Sequence, residues 1–595
     1  MRIAPQSLCV LFTAAWLGSA TALAESLTLV EDGRSPYRIV IAQGAADSVT
    51  RAASELQRFV VEISGAKLPI DTDGGPVRSH EIIVGDNAHS RALKAGIKLE
   101  RLGDEGFAIR TSGAHLVIVG GPVRGTLYGV YGFLEDHLGC RWYSSKVSRV
   151  PKRRTISLGP IDDTQTPAFE YREVYYHDAM DPAFAARHKL NGNVSVIRNG
   201  KLISERHRGW GLWCHSFFAL VPPKEYFGSH PEYFSLVGGK RVANKQLCLT
   251  NPDVLATAVA SLKGLMAKAP DAHYWSVSQM DWQGYCTCEH CRAIDAREGT
   301  PMGSVLAFIN KVAARFPDKT ISTLAYQYTR RPPKSVRPAK NVLINLCSIE
   351  CNRSQPIRTD RSSASFRRDL KSWSAICDRL FVWDYVVQFR NLVSPFPNLR
   401  VLQPDMQSFA ANNVVGVFSQ GNREIRGEFC ELRAYLLAKL QWNPNCDVER
   451  IMNDFLAGYY GPAGKPIGKY IDAMHDALAK SGKALRIFGN PQDHRDGYLS
   501  EKLMDRYKGL FDEAERLVAD DADLLLRVRT ARMPLMYAQL QLGYGNVDER
   551  AAIAQDLFAL ADRIGLRMFN EWNLPTERYK QDVAKALAKE REAGK

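Results

Sequence analysis

Along the first 160 residues the hydrophobic pattern switches period several times. LTLVEDG and YRIVIAQ run as short apolar strands, whereas from Asp47 to Gly65 the apolar Ala52, Leu56, Phe59, Val60 and Ile63 recur three and four positions apart. That spacing predicts an amphipathic helix, stopped by Gly65. HEIIVGD and GFAIRTSGAHLVIVGG return to strand, with Gly113 at a hairpin turn, and RGTLYGVYGFLEDHLGCRWY predicts a second helix with Leu127, Val130, Tyr131, Leu134 and Leu138 on one side. The pattern describes a small α/β domain over residues 25–160.

A linker rich in Pro, Thr and Asp (Pro160 to Pro167) separates it from a different regime. Strand-like runs now alternate with helical ones. EYREVYYHD, GNVSVIRN, HYWSVSQMD, TISTLAYQYT, NVLINLCSIEC, RLFVWDYVVQF and VVGVFSQGN are the strands, and helices are expected at Val254–Ala267, Val305–Phe316, Phe366–Ile376 and Pro404–Asn412. An irregular stretch with Trp210, Trp213, His215 and HPEYFSLVGGKR interrupts them. Alternation of this kind predicts a (β/α)8 TIM-like barrel over residues 166–426, whose chemistry belongs on the loops after the strand ends. From Gly427 to the end the period is helical, with amphipathic segments from Phe429 to Leu542, predicting a C-terminal α-helical domain over 427–595. The fold class is therefore α/β with three units.

Composition changes this picture in three places. Residues 1–24 carry one early charge, Arg2, an apolar core from Leu8 to Trp16 and a small-residue end at Ala22-Leu23-Ala24, the form of a secretory leader. The expected location is periplasmic or secreted, without stable membrane insertion. The formal net charge is +14, but Lys and Arg are interspersed with Asp and Glu from end to end, which argues against a nucleic-acid partner. Of twelve cysteines, Cys9 falls in the leader and an odd number remains, so at least one is a free thiol, metal-bound or intermolecular.

The strand ends of the middle unit collect His177, Asp178, Asn193, His215, Asp281, Trp282, Tyr326, Tyr328, Glu350, Asp384, Tyr385, Gln420 and Asn422. Aromatic faces stack on sugar rings while carboxylates and amides hold hydroxyls, so this set points to a glycan substrate. Hydrolysis of a glycosidic bond needs a proton donor and a second group that stabilises charge at the anomeric carbon, most often two carboxyls. Asp281, Glu350 and Asp384 are the candidates. Each alone could equally cap a helix or pair with Arg353 or Arg390; three at successive strand ends favour function. His215, between Trp213 and Phe217, reads as a substrate contact or as a satisfied core histidine.

No cofactor is called for. Gly120-Gly121 before a helix lacks the spacing and lysine of a phosphate loop and reads as tight strand-to-helix packing. Cys286, Cys288 and Cys291 have the spacing of zinc ligands but no second Cys-x-x-Cys pair, and an exported context favours a disulfide or packed thiols. Cys347 and Cys351, which bracket Glu350, could bridge to that cluster.

WCHSFFALVPPKEYFGSHPEYFSLVGGKR, QLCLTNPDV, SVSQMDWQGYCTCEHC, FVWDYVVQF, LRAYLLAKLQWNP and FLAGYYGPAG resemble domain-of-unknown-function family 4838, some of whose members define glycoside hydrolase family 163, endo-β-N-acetylglucosaminidases of N-glycans. GFAIRTSGAHLVIVGGPVRGTLYGVYGFLEDHLGCRWY resembles the domain that precedes the barrel in family 20 hexosaminidases and family 67 α-glucuronidases. The resemblance implies a barrel glycosidase that retains configuration through the substrate's own 2-acetamido group. One carboxyl would protonate the leaving oxygen while another orients the acetamide; Asp281 and Glu350 are assigned to these roles. The adjacent Asp-Glu pair of family 20 is absent, which leaves donor and orienter open between them. His215, Trp282, Tyr326, Asp384, Tyr385 and Gln420 are expected to line the sugar site. The alternatives are an α-glucuronidase-like hydrolase of uronic-acid glycans and a non-catalytic glycan-binding protein.

Overall fold

The computed structural model describes residues 26–192, 196–198, 201–203, 209–423 and 426–593. The leader and Asn193 lie outside them. The first unit is a six-stranded mixed sheet in the order Asp162–Gln165, Phe107–Ser112, His115–Gly120, Glu81–Val84, Arg38–Ile41, Ile70–Thr72. Helix Asp47–Ser64 buries Leu56, Phe59, Val60 and Ile63 and ends where Gly65 turns left-handed at φ 84° and donates its N–H to the Val61 carbonyl. The Gly120-Gly121 pair is steric. A Cβ on Gly120 would lie 2.0 Å from the Gly125 carbonyl carbon, and one on Gly121 2.0 Å from the Gly103 oxygen, so helix Gly125–Gly132 starts against the strand end only because neither has a side chain.

The middle unit is a curled, wholly parallel sheet in the order Tyr171–Val174, Val414–Gln420, Leu380–Tyr385, Val342–Cys347, Thr320–Ala325, Tyr274–Ser276, Trp210–Leu212. Seven strands share it among the described residues, where the sequence pattern predicts eight. The GNVSVIRN segment instead supplies Val196–Arg198, paired antiparallel with Lys201–Ile203. The two edges meet through side chains. Tyr171 on one edge packs its ring 6.2 Å from Trp210 and 6.4 Å from Trp213 at the other, and 5.2 Å from Phe381 between them. Aromatic rings thus fill the hollow of the sheet, and Phe418 and Trp383 continue the cluster upward at 4.8 Å.

Helix Cys430–Trp442, which the pattern assigns to the C-terminal unit, is buried on all faces but for Lys439. Its Gln441 donates to the Glu173 carbonyl and the Ser419 hydroxyl of two barrel strands, both at 3.0 Å. Trp442 stacks on Phe107 and meets Tyr128 edge-on in the first unit, each at 5.8 Å. This helix is a shared core, which corrects the amphipathic reading of its segment: packed on nearly every side, it has no polar face. Helices Val448–Tyr460, Gly464–Ser481, Glu501–Leu517, Ala522–Leu542, Val547–Ile564 and Thr576–Ala593 complete the C-terminal region. No helix among the described residues is long and apolar enough to cross a membrane.

Candidate functional site

Side chains alternate across each strand, so parity decides which strand-end residues face the hollow. On Leu380–Tyr385, Phe381 and Trp383 point inward with the aromatic cluster, and Tyr385 follows them at the rim, its ring 6.3 Å from that of Trp383. The register sets Tyr385 beside Gln420 and Cys347 beside Trp383. Trp383 donates its indole N–H to Gln420 Oε1 at 2.7 Å, which fixes the amide and turns Nε2 toward Glu571 Oε1 at 3.3 Å. Glu571 comes from the loop before the last helix, and its backbone N–H is anchored on the Phe389 carbonyl at 3.0 Å. Burial pushes its carboxyl above the usual range, opposed by Arg423 and by the Gln420 bond and reinforced by the negative charge of Asp281.

Asp281 sits just past the strand Tyr274–Ser276 and is 57 % exposed. Its segment is gripped by Gln246, which accepts from the Met280 N–H at 3.0 Å and donates to the Met280 and Trp282 carbonyls at 3.1 and 2.6 Å. The Trp282 indole donates to the Lys245 carbonyl at 2.7 Å. His215 and Tyr326 stand beside the Asp281 carboxylate. His215 Nε2 lies 4.0 Å from Oδ1, with Nδ1 of the ring 2.7 Å from the Gln279 carbonyl, a contact in which Nδ1 must be the donor, leaving Nε2 to face Asp281. His215 holds this pose at φ 47°, left-handed backbone that a non-glycine residue adopts at a cost. Tyr326 is the second neighbour; burial first, then the charge and hydrogen bonding of Asp281, push its phenol up.

The other predicted residues divide. Trp282 is 38 % exposed beside Asp281, and Tyr285 next along stacks on Tyr328 at 5.0 Å. Tyr385 and Gln420 are at the rim as described. Glu350 is half-exposed and ion-paired with Arg330 at 2.9 Å, while Arg330 also holds Asp369 at 2.7 Å. Asp384 is a correction. Even parity turns it away from the hollow, where it is 3 % exposed, accepts from Ser348 Oγ at 2.7 Å and pairs with Arg353 at 3.3 Å, so it braces the barrel wall and is sealed from ligand. Asp178 is likewise spent, on the Ser145 N–H and hydroxyl at 2.7 and 2.6 Å.

Glu571 is the residue that sequence reasoning missed. Two exposed aromatics accompany it: Trp572, 54 % exposed, and Phe488, 43 %, their rings stacked at 6.1 Å. A cleft of about 830 Å³ among the C-terminal helices, lined by Glu515, Arg529 and Arg532, shares no residue with this rim. All eleven described cysteines are free thiols. Cys347 and Cys351 therefore do not bridge to the Cys286–Cys291 cluster; Cys347 lies under the rim beside Tyr385.

The profile described as "Domain of unknown function (DUF4838)" matches residues 142–472, and that of the glycosyl hydrolase family 67 N-terminus matches residues 16–133. No curated protein matches the chain. Among solved structures, a family GH115 4-O-methyl-α-glucuronidase, BtGH115A, described as specific for decorated arabinogalactans, superposes with a TM-score of 0.55 at 15 % identity, over 91 % of this chain and 77 % of its own. CpGH89 of Clostridium perfringens superposes with 0.46 at 11 % identity (87 % and 65 % covered) and a GH20 exo-β-N-acetylglucosaminidase of Vibrio harveyi with 0.39 at 11 % (73 % and 74 %). The GH115 likeness establishes a shared fold; the other two are too loose to argue from.

Proposed function

The chain belongs to the DUF4838 family and has a TIM-like glycoside-hydrolase fold, and from that premise we propose that it is an exported retaining glycosidase cleaving β-linked N-acetylglucosamine in a glycan by substrate-assisted catalysis. The observation that carries this reading is the Asp281 carboxylate at the rim, with His215 Nε2 4.0 Å from Oδ1 and the Tyr326 phenol, whose ring is 6.2 Å from that of His215, beside it. An acetamide offers one N–H donor and one carbonyl acceptor, and a carboxylate beside a phenol complements both. Held so, the carbonyl oxygen attacks the anomeric carbon as the bond to the leaving oxygen breaks, and a carboxyl supplies the proton to that oxygen. Glu571, whose carboxyl burial pushes above the usual range, suits this step better than Glu350, which is ion-paired with Arg330. Glu571, then a carboxylate, takes a proton from the water that opens the cyclic intermediate. His215 supports Asp281, and Trp282 and Trp572 offer stacking faces.

The test is digestion of a panel of N-glycans and aryl β-N-acetylglucosaminides, with products read by mass spectrometry and inhibition by a thiazoline mimic of the cyclic intermediate. Cleavage after N-acetylglucosamine with thiazoline inhibition is expected. Release of uronic acid instead would favour the second reading, an α-glucuronidase, for which the family 67 N-terminal match and the GH115 likeness speak. Binding without turnover on any of these would leave a glycan-binding protein.

A further inference from the structure

We propose that Cys248, Cys286, Cys288 and Cys291 bind one zinc ion, a structural site that fixes the loop carrying Asp281. The fourth ligand is what the linear spacing lacks: Cys248, in QLCLTNPDV, folds against the Cys286-Thr-Cys288-Glu-His-Cys291 run so that all four sulfurs lie within 4.8 Å of one another. Cys248 Sγ and Cys288 Sγ are 3.7 Å apart. A disulfide would bring two sulfurs to about 2.05 Å and leave the pairs unequal; four thiolates at about 2.3 Å from a tetrahedral zinc stand roughly 3.8 Å apart. The observed packing follows the second geometry.

The surroundings suit thiolates. The Leu236 N–H donates to Cys286 Sγ at 3.3 Å, the Thr250 hydroxyl is 3.2 Å from Cys291 Sγ, and the Arg241 guanidinium reaches Cys286 at 3.8 Å, placing one positive charge beside a centre that would carry two negative ones. Cys288 is the N-cap of helix Glu289–Glu298, whose first turn carries Cys291, so the helix's positive end faces the sulfurs. Cys248, Cys286 and Cys291 are buried. With four sulfur ligands no position remains for water or substrate, which makes the site structural. On binding, four thiols lose their protons to solvent and four zinc–sulfur bonds form.

The consequence reaches the rim through Gln246. Cys248 stands two residues from it, and Gln246 is the residue that holds the backbone of Met280 and Trp282 on either side of Asp281. Zinc therefore ties both ends of this clamp to one point. It acts on Asp281 by positioning and takes no part in bond breaking.

The full-length protein, purified without chelator from zinc-supplemented culture, should contain about one zinc per chain by elemental mass spectrometry, released stoichiometrically by a mercurial thiol reagent. Cobalt(II) exchanged into the wild-type protein should show thiolate charge-transfer and tetrahedral d–d bands. Cys248→Ser should lose the metal, while Cys140→Ser, at a buried thiol elsewhere, keeps it. Should Cys248→Ser fail to fold, the wild-type metal content and cobalt spectrum decide the matter. Metal-free protein whose cluster cysteines alkylate freely, or whose intact mass reports two disulfides among them, overturns the proposal. These readouts hold whether or not any glycan is cleaved.

Discussion

Gln420 Nε2 donates to Glu571 Oε1 at 3.3 Å across 151 residues of chain, joining the last barrel strand to the loop before the final helix. The bond brings a carboxyl from outside the barrel to the rim where Asp281 and Tyr326 stand; burial there pushes that carboxyl above the usual range, while the bond itself and Arg423 oppose the shift.

Glu571→Gln is expected to lower kcat/KM by at least about a hundredfold on a natural glycan and less on an aryl glycoside whose leaving group needs no proton. The pH profile carries the sign. A proton donor with a raised pKa is active below that pKa, so wild-type activity should fall as pH rises through it, and this alkaline limb should flatten in the variant. Initial rates on both substrates across pH check it; equal losses on both remove Glu571 from the donor role.

Asp281→Asn should cost at least about a hundredfold in kcat, whereas Tyr326→Phe, which deletes one hydroxyl, should cost roughly ten- to a hundredfold, the worth of one hydrogen bond to a charged group. Both should weaken the thiazoline more than they weaken a sugar that lacks the acetamide. Inhibition constants for the two ligands measure this, and parallel losses would argue against an acetamide contact.

Asp384→Ala leaves Arg353 buried and unpaired, and should destabilise the fold by about 3–5 kcal/mol. Because Asp384 faces away from the hollow, the folded fraction should keep its KM. Urea unfolding followed by kinetics on the native fraction separates the two effects.

Trp572→Ala, removing an exposed ring beside Glu571, should raise KM several-fold on a polymeric glycan and leave kcat on a small aryl glycoside within about twofold, as expected for a stacking subsite worth roughly 1 kcal/mol.

Much of this was legible from residue order. The helix ending at Gly65, the strand-to-helix contact at Gly120 and the run of parallel strands all follow from local periodicity and local steric demands. Asp384 misled because position at a strand end does not give direction; Phe381 and Trp383 on the same strand point into the hollow, and counting by twos from them would have turned Asp384 outward. Glu571 and Cys248 were out of reach for another reason. Each meets its partners only after distant chain segments pack, and local spacing carries no trace of that. The one hint for Glu571 was the MFNEWNLP interruption in an otherwise helical pattern. Helix Cys430–Trp442 hid its role because a segment buried everywhere but at Lys439 has no polar side to betray which unit it serves.

Glu571 is made 151 residues after Gln420, the end of the last strand of the parallel sheet. If it is the acid, a polypeptide emerging amino-end first completes its sheet long before it can act, because the helices between Gln420 and Glu571 must first be made and packed. Maturation would then amount to a timing device, with competence arriving only once the helical region has closed on the sheet.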